Sequence, residues 1–339
     1  MIDVELLKDD VFKLPIKYTE GSCKDTIISR LDSYYEFICK SVNNVSLHTQ
    51  VKSFKCYLSR MYDEYYMGHQ NKAYNHFKEA IEAILQYGGS SLMTVIPKEC
   101  MYRARVNDSD VDYNNSEMFH ISYNRRGKVA TQRFSFPGLP CLYLGASSYV
   151  CWVELGRPNL SYFQVASIQQ KNKDKDYKVI DLSIHPLAYY NELKANEAGC
   201  QLSKNLISIE DYLLLWPLMA ACSIVVKNEN DPFKPEYIFP QFVLQYILED
   251  ESDAIGIKYM SIKEGKISEE QYTAASRMYT NYVIPIRGLD TVEDGKCKVL
   301  SDMFEIKENM SGKELHLAKE SLTYNGLYWG SFEDLSKKK

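Results

Sequence analysis

The sequence lacks the short motifs by which common cofactor-binding and hydrolase families are recognised. The glycine-rich loops G-x-G-x-x-G and G-x-x-x-x-G-K-[ST] are absent, as are H-E-x-x-H and G-x-S-x-G. Those patterns cradle phosphate groups, bind zinc or present a nucleophilic serine. The six histidines show no metal-ligand spacing. We therefore expect no metal site and no bound cofactor, and we expect any chemistry to come from a less common arrangement of residues.

The sequence also has no C-x-x-C pair and no apolar run long enough to cross a membrane. The nine cysteines are odd in number, and several, such as Cys141 and Cys222, have apolar neighbours. They are typical of buried, reduced thiols in a cytoplasmic protein. The most apolar stretch, 212–226, is interrupted by Pro217 and is too short for a bilayer span. The acidic N-terminal residues do not resemble a signal peptide. We expect a cytoplasmic protein that does not bind membranes.

The charge balance argues against a nucleic-acid-binding protein. The net charge is −5 at pH 7, whereas domains that bind nucleic acid are usually strongly basic. Apolar residues make up 45% of the chain, enough for a sizeable core. Tyrosine is abundant, with 27 residues. This excess either lines a polar pocket or reflects a biased composition and nothing more.

The periodicity of apolar residues changes near residue 90. Between about 24 and 87 they recur at helical spacing in three sets, and Gly88 to Ser91 are expected to end the last helix. After residue 92 short β-type runs dominate. The strands are predicted at 100–107, 118–123, 130–136, 140–145, 161–168, 177–183, 254–260 and 281–287, with a weak signal near 297–306. Further helices are predicted at 147–155, 208–226 and 237–249.

Mixed strands and helices without strict alternation predict an α+β fold rather than a doubly wound parallel sheet. We divide the chain into a helical N-terminal region (1–91), a mixed domain (92–290) and a C-terminal extension (291–339) that packs on that domain.

Several ordered pieces of the mixed domain resemble one family. They are MYRARV (101–106), RFSFPG (133–138), LYLG (142–145), a glutamate eleven residues after the tyrosine, the Pro-Gln pair 240–241 and GIKYMS (256–261). Their order and spacing are similar to those of the RES domain family, over about residues 95–265. The resemblance implies a mixed sheet core like that of ADP-ribosyltransferases and an enzyme that consumes NAD⁺ as its substrate. Several members of the family are bacterial toxins paired with helix-turn-helix antitoxins.

The resemblance assigns the catalytic roles to four residues. Arg103 is expected to grip the pyrophosphate, Tyr143 to stack on the nicotinamide, Glu154 to stabilise the developing ribose cation, and Ser261 to donate a hydrogen bond to the ligand. Gly145 is expected to allow close approach of a ligand to the backbone. The other candidate binding residues are Arg105, which competes with Arg103, Ser135, which competes with Ser261, and Arg133 and Gln241.

Structural explanations for the same residues stay open at this stage. Tyr143 could belong to the core, Glu154 could pair with Arg157, Arg133 could brace its loop, and Gln241 could cap a helix. For His120 we prefer the structural reading, a hydrogen-bonded core residue.

Three activities remain open. The first is hydrolysis or phosphorolysis of NAD⁺ at the nicotinamide–ribose bond. The second is transfer of ADP-ribose to a target, and the third is binding of NAD⁺ or ADP-ribose without catalysis. Cys151 as a nucleophile ranks below these, because no suitably placed histidine is evident. The helical N-terminal region could cover the cleft, mediate homo-oligomerisation or sense a partner such as an antitoxin.

Overall fold

A computed structural model gives the fold of the chain. It describes residues 2–18, 21–88, 92–107, 111–200, 206–249, 253–262, 279–311 and residue 314. The α-helices are α1 (Cys23–Ser41), α2 (Val45–Tyr66), α3 (Gln70–Gly88), α4 (Asn115–Met118), α5 (Ser148–Glu154), α6 (Pro186–Glu197), α7 (Ile209–Cys222), α8 (Ile238–Leu248) and α9 (Lys298–Met303). The strands are β1 (Met93–Val95), β2 (Met101–Val106), β3 (Cys141–Gly145), β4 (Phe163–Gln170), β5 (Lys178–Leu182), β6 (Ala254–Met260), β7 (Thr280–Pro285), β8 (Thr291–Val292), β9 (Lys296–Cys297) and β10 (Phe304–Ser311).

The chain divides into two compact units. The first contains residues 1–95, 131–135 and 178–276, and the second contains residues 96–130, 136–177 and 277–339. The N-terminal helices thus share a unit with β5, β6 and α6 to α8. The described part of the C-terminal extension belongs to the second unit, where β10 pairs with β4.

The first unit is built around α7, which is buried along almost its whole length. Residues Tyr212–Cys222 are all buried, so the helix must be covered on every side. Helices α1, α2, α3 and α8 all contact it. The aromatic ring of Tyr34 on α1 stacks on Trp216, with ring centroids 4.3 Å apart. In the same unit β1 pairs antiparallel with β5, and β5 pairs parallel with β6.

The second unit contains a strictly antiparallel set of strands in the order β7-β3-β2-β4-β10. Helix α5 follows β3 directly and packs on β2 and β3. The inner strand β4 is almost completely buried, as expected for a strand covered on both faces. This arrangement places β2 and β3 side by side at the centre of the unit.

The structure confirms an α+β fold with a mixed set of strands and a helical N-terminal region. Three long helices occupy 23–88, and the strands predicted at 100–107, 140–145, 161–168, 177–183, 254–260 and 281–287 are all present. Helices predicted at 147–155, 208–226 and 237–249 are also present, although α7 ends four residues early. The predicted helix stop at Gly88 to Ser91 lies, beyond Gly88, outside the described residues. The three-part division of the chain stays a prediction.

Two predicted strands, 118–123 and 130–136, are wrong. In the first segment Asn114 and Glu117 form a capping box that starts α4, so Met118 lies in a helix. In the second, Gln132 and Ser135 exchange backbone hydrogen bonds of 3.2 and 3.3 Å across a tight turn. Local hydrogen bonds explain both errors, because those of the capping box and of the tight turn satisfy backbone groups that a strand would pair with a neighbour.

Two further elements differ from the prediction. Helix α6 was not predicted; His185 caps it by accepting a hydrogen bond from the Leu187 backbone N–H at 3.3 Å. Where the sequence shows a weak strand signal near 297–306, the structure has the end of β9, helix α9 and the start of β10. All nine cysteines are free thiols. Five of them are buried, whereas Cys39, Cys56 and Cys200 are exposed. Among the described residues, no helix is both long and apolar enough to cross a membrane.

Candidate active site

Two arginines project from one face of β2. Residues two apart in a strand share a face, so Arg103 and Arg105 lie on the side opposite to Tyr102. Arg103 Nη1 donates a 3.1 Å hydrogen bond to the backbone oxygen of Tyr143. Arg105 Nη2 donates a longer one, 3.4 Å, to the backbone oxygen of Phe119. In the described part of the chain, each guanidinium therefore donates hydrogen bonds from only some of its five N–H groups.

Both arginines keep a buried donor that no described part of the chain uses. The Nε atoms of Arg103 and Arg105 are buried and have no hydrogen-bond partner among the residues that the structure describes. An unused buried donor on a charged group is costly. Such donors are accordingly typical of a binding site for an anion that supplies the missing acceptor.

A third cation, Lys296, lies near Arg105 although it is far away in sequence, because the two side chains donate to the backbone oxygens of the adjacent residues His120 and Phe119. Lys296 is 8% exposed, and its Nζ donates a 2.6 Å hydrogen bond to the backbone oxygen of His120. Within the residues that the structure describes, no carboxylate lies within ion-pair distance of Arg103, Arg105 or Lys296. We call Arg103, Arg105 and Lys296 the cation cluster.

The positive charges of the cation cluster repel one another. Burial, and next the charge of Arg105, lowers the pKa of Arg103 to about 9. Burial, and then the charges of Arg105 and Arg103, lowers the pKa of Lys296 to about 8. Burial also lowers the pKa of Arg105. Because all three groups remain largely protonated at pH 7, the folded protein holds positive charges together, and no described carboxylate is paired with them.

A single carboxylate, Glu154, lies at the end of α5 and is held by Asn281 on β7. Asn281 Nδ2 donates a 2.8 Å hydrogen bond to Glu154 Oε1. The strand register explains this contact, because Asn281 pairs with Gly145 across the β3–β7 ladder. Paired residues share a face, and Gly145 has no side chain to separate Asn281 from α5. The carboxylate is therefore fixed by a neutral amide.

Gly145 has a different role from the one the sequence suggested. A Cβ atom at this position would lie 2.5 Å from Val150 Cγ1 and 2.7 Å from Cys151 Sγ. The space above Gly145 is therefore filled by α5 and leaves no room for a ligand. The glycine is required because the helix packs directly on the strand.

Cys151 lies within electrostatic reach of both Arg103 and Glu154. Its pKa responds to Arg103, which lowers it, and to Glu154, which raises it. Burial is the larger effect and raises the pKa of Cys151 to about 12. The thiol donates to the backbone oxygen of Tyr102 at 3.2 Å. A buried, protonated thiol of this kind is inert, which argues against Cys151 as a nucleophile.

His120 is a structural residue, as preferred from the sequence. Its Nδ1 lies 2.7 Å from the backbone oxygen of Ile121, and its Nε2 accepts from the backbone N–H of Cys297 at 2.9 Å. Nδ1 therefore carries the proton and the ring is neutral. Burial lowers the pKa of His120 to about 4. With both nitrogens engaged, the ring cannot serve as a base.

The remaining candidates lie in the first unit. Gln241 lies in the second turn of α8, so it does not cap the helix, and its Nε2 is within 3.1–3.2 Å of Thr131 Oγ1 and the backbone oxygens of Gln132 and Ser135. Arg133 Nη1 donates to the backbone oxygen of Cys222 at 3.1 Å. Both side chains thus brace the 131–135 turn.

The two serines are buried. Ser135 is 1% exposed, and its hydroxyl has no hydrogen-bond partner in the described part of the chain. Ser261 follows β6 and is completely buried. The structure therefore places Arg103, Arg105, Tyr143 and Glu154 in the second unit, where Arg103 bonds to the backbone oxygen of Tyr143. It places Arg133, Ser135, Gln241 and Ser261 in the first, and the roles of these four in binding stay predictions.

Sequence reasoning missed Asn281 and Lys296. Asn281 had a detectable signal, because a polar residue interrupts the buried apolar strand 280–285 and such residues are usually hydrogen-bonded. Lys296 had no detectable signal in the sequence, because a lysine between Gly295 and Cys297 is typical of an exposed turn.

The fold and these contacts define an α+β protein with a candidate anion site beside a positioned carboxylate. No family model matches the chain, and no solved structure matches it. The chain is 33% identical over 329 residues to the protein named "Putative toxin YopC" from Bacillus subtilis (strain 168), an alignment that covers 92% of this chain and 71% of YopC. It belongs to the same family as YopC.

Proposed function

We propose that this protein is a toxin that cleaves the nicotinamide–ribose bond of NAD⁺. The observation that carries the proposal is the charge arrangement of the second unit. Arg103 and Arg105 present buried donors without an acceptor among the described residues, and Asn281 holds the Glu154 carboxylate in the same unit. Sequence similarity to a protein named as a putative toxin supports a toxic activity. The choice of NAD⁺ as the substrate rests on the resemblance to the RES family.

The reaction requires both kinds of charge. NAD⁺ already carries a cationic leaving group, because nicotinamide departs as a neutral molecule, so little general-acid assistance is needed. Positive charge grows on the ribose as the C–N bond breaks, and a carboxylate stabilises it. The pyrophosphate is anionic, and arginine binds phosphate oxygens through paired N–H groups.

Each side chain has a defined part in this proposal. Arg103 and Arg105 bind the pyrophosphate, Tyr143 stacks on the nicotinamide, and Glu154 stabilises the ribose cation. Water then adds to the ribose carbon and loses a proton, so that the products are ADP-ribose, nicotinamide and a proton. With phosphate as the acceptor, the product is ADP-ribose 1″-phosphate.

The decisive experiment compares the purified wild-type protein with the Glu154→Gln variant. We expect the wild type to release nicotinamide from NAD⁺. Glu154→Gln should lower kcat by about 100-fold or more, because it removes the charge that stabilises the transition state. NAD⁺ binding, measured by calorimetry, should change little. Glu99→Gln, an exposed glutamate of the same unit, serves as the matched control and should retain full activity.

The products distinguish the proposal from its alternatives. Free ADP-ribose or its 1″-phosphate supports NAD⁺ cleavage, whereas adenine label attached to a macromolecule identifies an ADP-ribosyltransferase. Binding of NAD⁺ without any nicotinamide release would leave a non-catalytic module. Equal turnover by the wild type and Glu154→Gln would remove the carboxylate from the mechanism.

A further inference from the structure

The cation cluster contains more positive charge than the two arginines alone provide. Arg103 and Arg105 come from one strand, whereas Lys296 comes from β9, which pairs with β8. Three protonated groups in one partly buried region repel each other, and that repulsion opposes folding. Arg125 adds further positive charge, because it also lowers the pKa of Lys296.

Negative charge from the described residues does not balance this cluster. Asp294 favours the protonated form of Lys296, but it ranks behind both arginines among the influences on that group. Glu117 acts on Arg105 in the same long-range way, and it forms a 3.9 Å ion pair with Arg125 instead. The imbalance is therefore local to Arg103, Arg105 and Lys296.

Burial and a hydrogen bond also fix the position of the Lys296 side chain. Its side chain is more than nine-tenths buried, and its ammonium group donates to the His120 backbone oxygen at 2.6 Å. That carbonyl is fixed in turn, because both nitrogens of the neighbouring His120 ring bond to backbone groups. One hydrogen bond leaves two of the three ammonium N–H groups for an acceptor.

We propose that Lys296 is a third binding residue for a diphosphate group, acting together with Arg103 and Arg105. The identification of the anion as a diphosphate rests on the proposed function, whereas the presence of an anion site rests on the cluster itself. A diphosphate carries several oxygens and at least two negative charges, so it offers an acceptor for each of the unused donors of Arg103, Arg105 and Lys296. The bound anion removes the repulsion within the cluster.

The test measures binding of inorganic pyrophosphate by calorimetry, so it does not depend on NAD⁺ cleavage. Lys296→Gln removes the charge but keeps an N–H donor for the His120 backbone oxygen, whereas Lys296→Arg keeps the charge. Lys298→Met changes an exposed lysine two residues away and is the matched control. Thermal unfolding monitors the fold of each variant.

We expect Lys296→Gln to weaken pyrophosphate binding about tenfold or more, since a hydrogen-bonded charge pair contributes roughly 1.5–3 kcal/mol. Its affinity should also depend less steeply on salt, because one ionic contact is lost. Lys296→Arg should bind within about threefold of the wild type, and Lys298→Met should bind as the wild type does.

Unchanged affinity and salt dependence in a folded Lys296→Gln variant would overturn the proposal, as would failure of the wild type to bind pyrophosphate. If Lys296→Gln does not fold, weak binding by the folded Lys296→Arg variant with unchanged salt dependence would show that the position is structural. Pyrophosphate binding that depends on Lys296, without nicotinamide release from NAD⁺, would retain this site and refute the proposed function.

Discussion

At the scale of single residues, the candidate carboxylate depends on a neighbour that touches no reacting atom in the proposed mechanism. Asn281 holds Glu154 Oε1 at 2.8 Å and is itself buried in β7. A neutral amide orients a carboxylate without neutralising its charge, unlike a lysine or arginine. Asn281 is therefore a positioning residue for Glu154.

The Asn281→Ala substitution tests this role through NAD⁺ turnover. Loss of one hydrogen bond to a charged group should lower kcat by roughly 10- to 100-fold. The KM for NAD⁺ should stay nearly constant, because Asn281 is not expected to contact the substrate. Steady-state assays of nicotinamide release give both constants.

Asn281→Asp sharpens this test, because it keeps the shape of the side chain and places a second carboxylate against Glu154. It should lower kcat at least as much as Asn281→Ala does. A change confined to KM, or full activity in both variants, would contradict the positioning role.

At the scale of secondary-structure elements, helix α7 contains a proline that should break its hydrogen-bond ladder. Pro217 has no N–H to donate to the backbone oxygen of Leu213, four residues earlier. The hydroxyl of Tyr34 on α1 donates to that oxygen at 2.5 Å. A side chain of one helix thus replaces a missing backbone donor of another, in a buried part of the first unit.

A double-mutant cycle measures this replacement. Tyr34→Phe leaves the Leu213 oxygen buried without its donor and should lower the free energy of unfolding by about 1–3 kcal/mol. In a Pro217→Ala background the new backbone N–H can bond to Leu213, so the same Tyr34→Phe change should cost less. Urea unfolding of the four proteins provides the values. Equal costs in both backgrounds would show that the tyrosine does not act through the ladder.

At the scale of the whole molecule, each unit buries a neutral histidine. His120 belongs to the second unit and His185 to the first. Burial lowers the pKa of each to about 4, below the unfolded value of about 6.5. Between these values the unfolded chain binds more protons than the folded chain. Stability from both residues is therefore complete above pH 6.5 and is lost as the pH falls towards 4.

Acid sensitivity should accordingly appear in both units. Each histidine should remove up to about 3 kcal/mol of stability between pH 6.5 and 4, at about 1.4 kcal/mol per unit of pKa change. Hydrogen exchange of peptides from each unit, measured across this range, separates the two effects.

Matched variants assign the two effects to their histidines. His120→Gln should reduce the pH dependence of the second unit, and His185→Asn, which keeps an acceptor for the cap of α6, should do the same for the first. Equal protection of the wild type at pH 4.5 and pH 7 would contradict the prediction.

The sequence predicted most of the fold because most elements are specified by local patterns. Helices α1 to α3 follow the helical recurrence of residues such as Ile27, Leu31 and Tyr34, which are all buried. Strands β2 and β3 follow short apolar runs in the same way. The errors at 118–123 and 130–136 arose where side chains such as Glu117 and Gln241 bond to the backbone, a contact that periodicity does not register.

The sequence by itself determined the α+β fold and drew attention to Arg103, Tyr143 and Glu154, because motif and spacing are properties of neighbouring residues. Only the tertiary structure decided that Asn281 holds Glu154 and that Lys296 joins the two arginines. Those contacts depend on strand register and on segments more than a hundred residues apart in the chain. Their physical basis is the pairing of Gly145 with Asn281 and the anchoring of β9 on His120, neither of which a local pattern encodes.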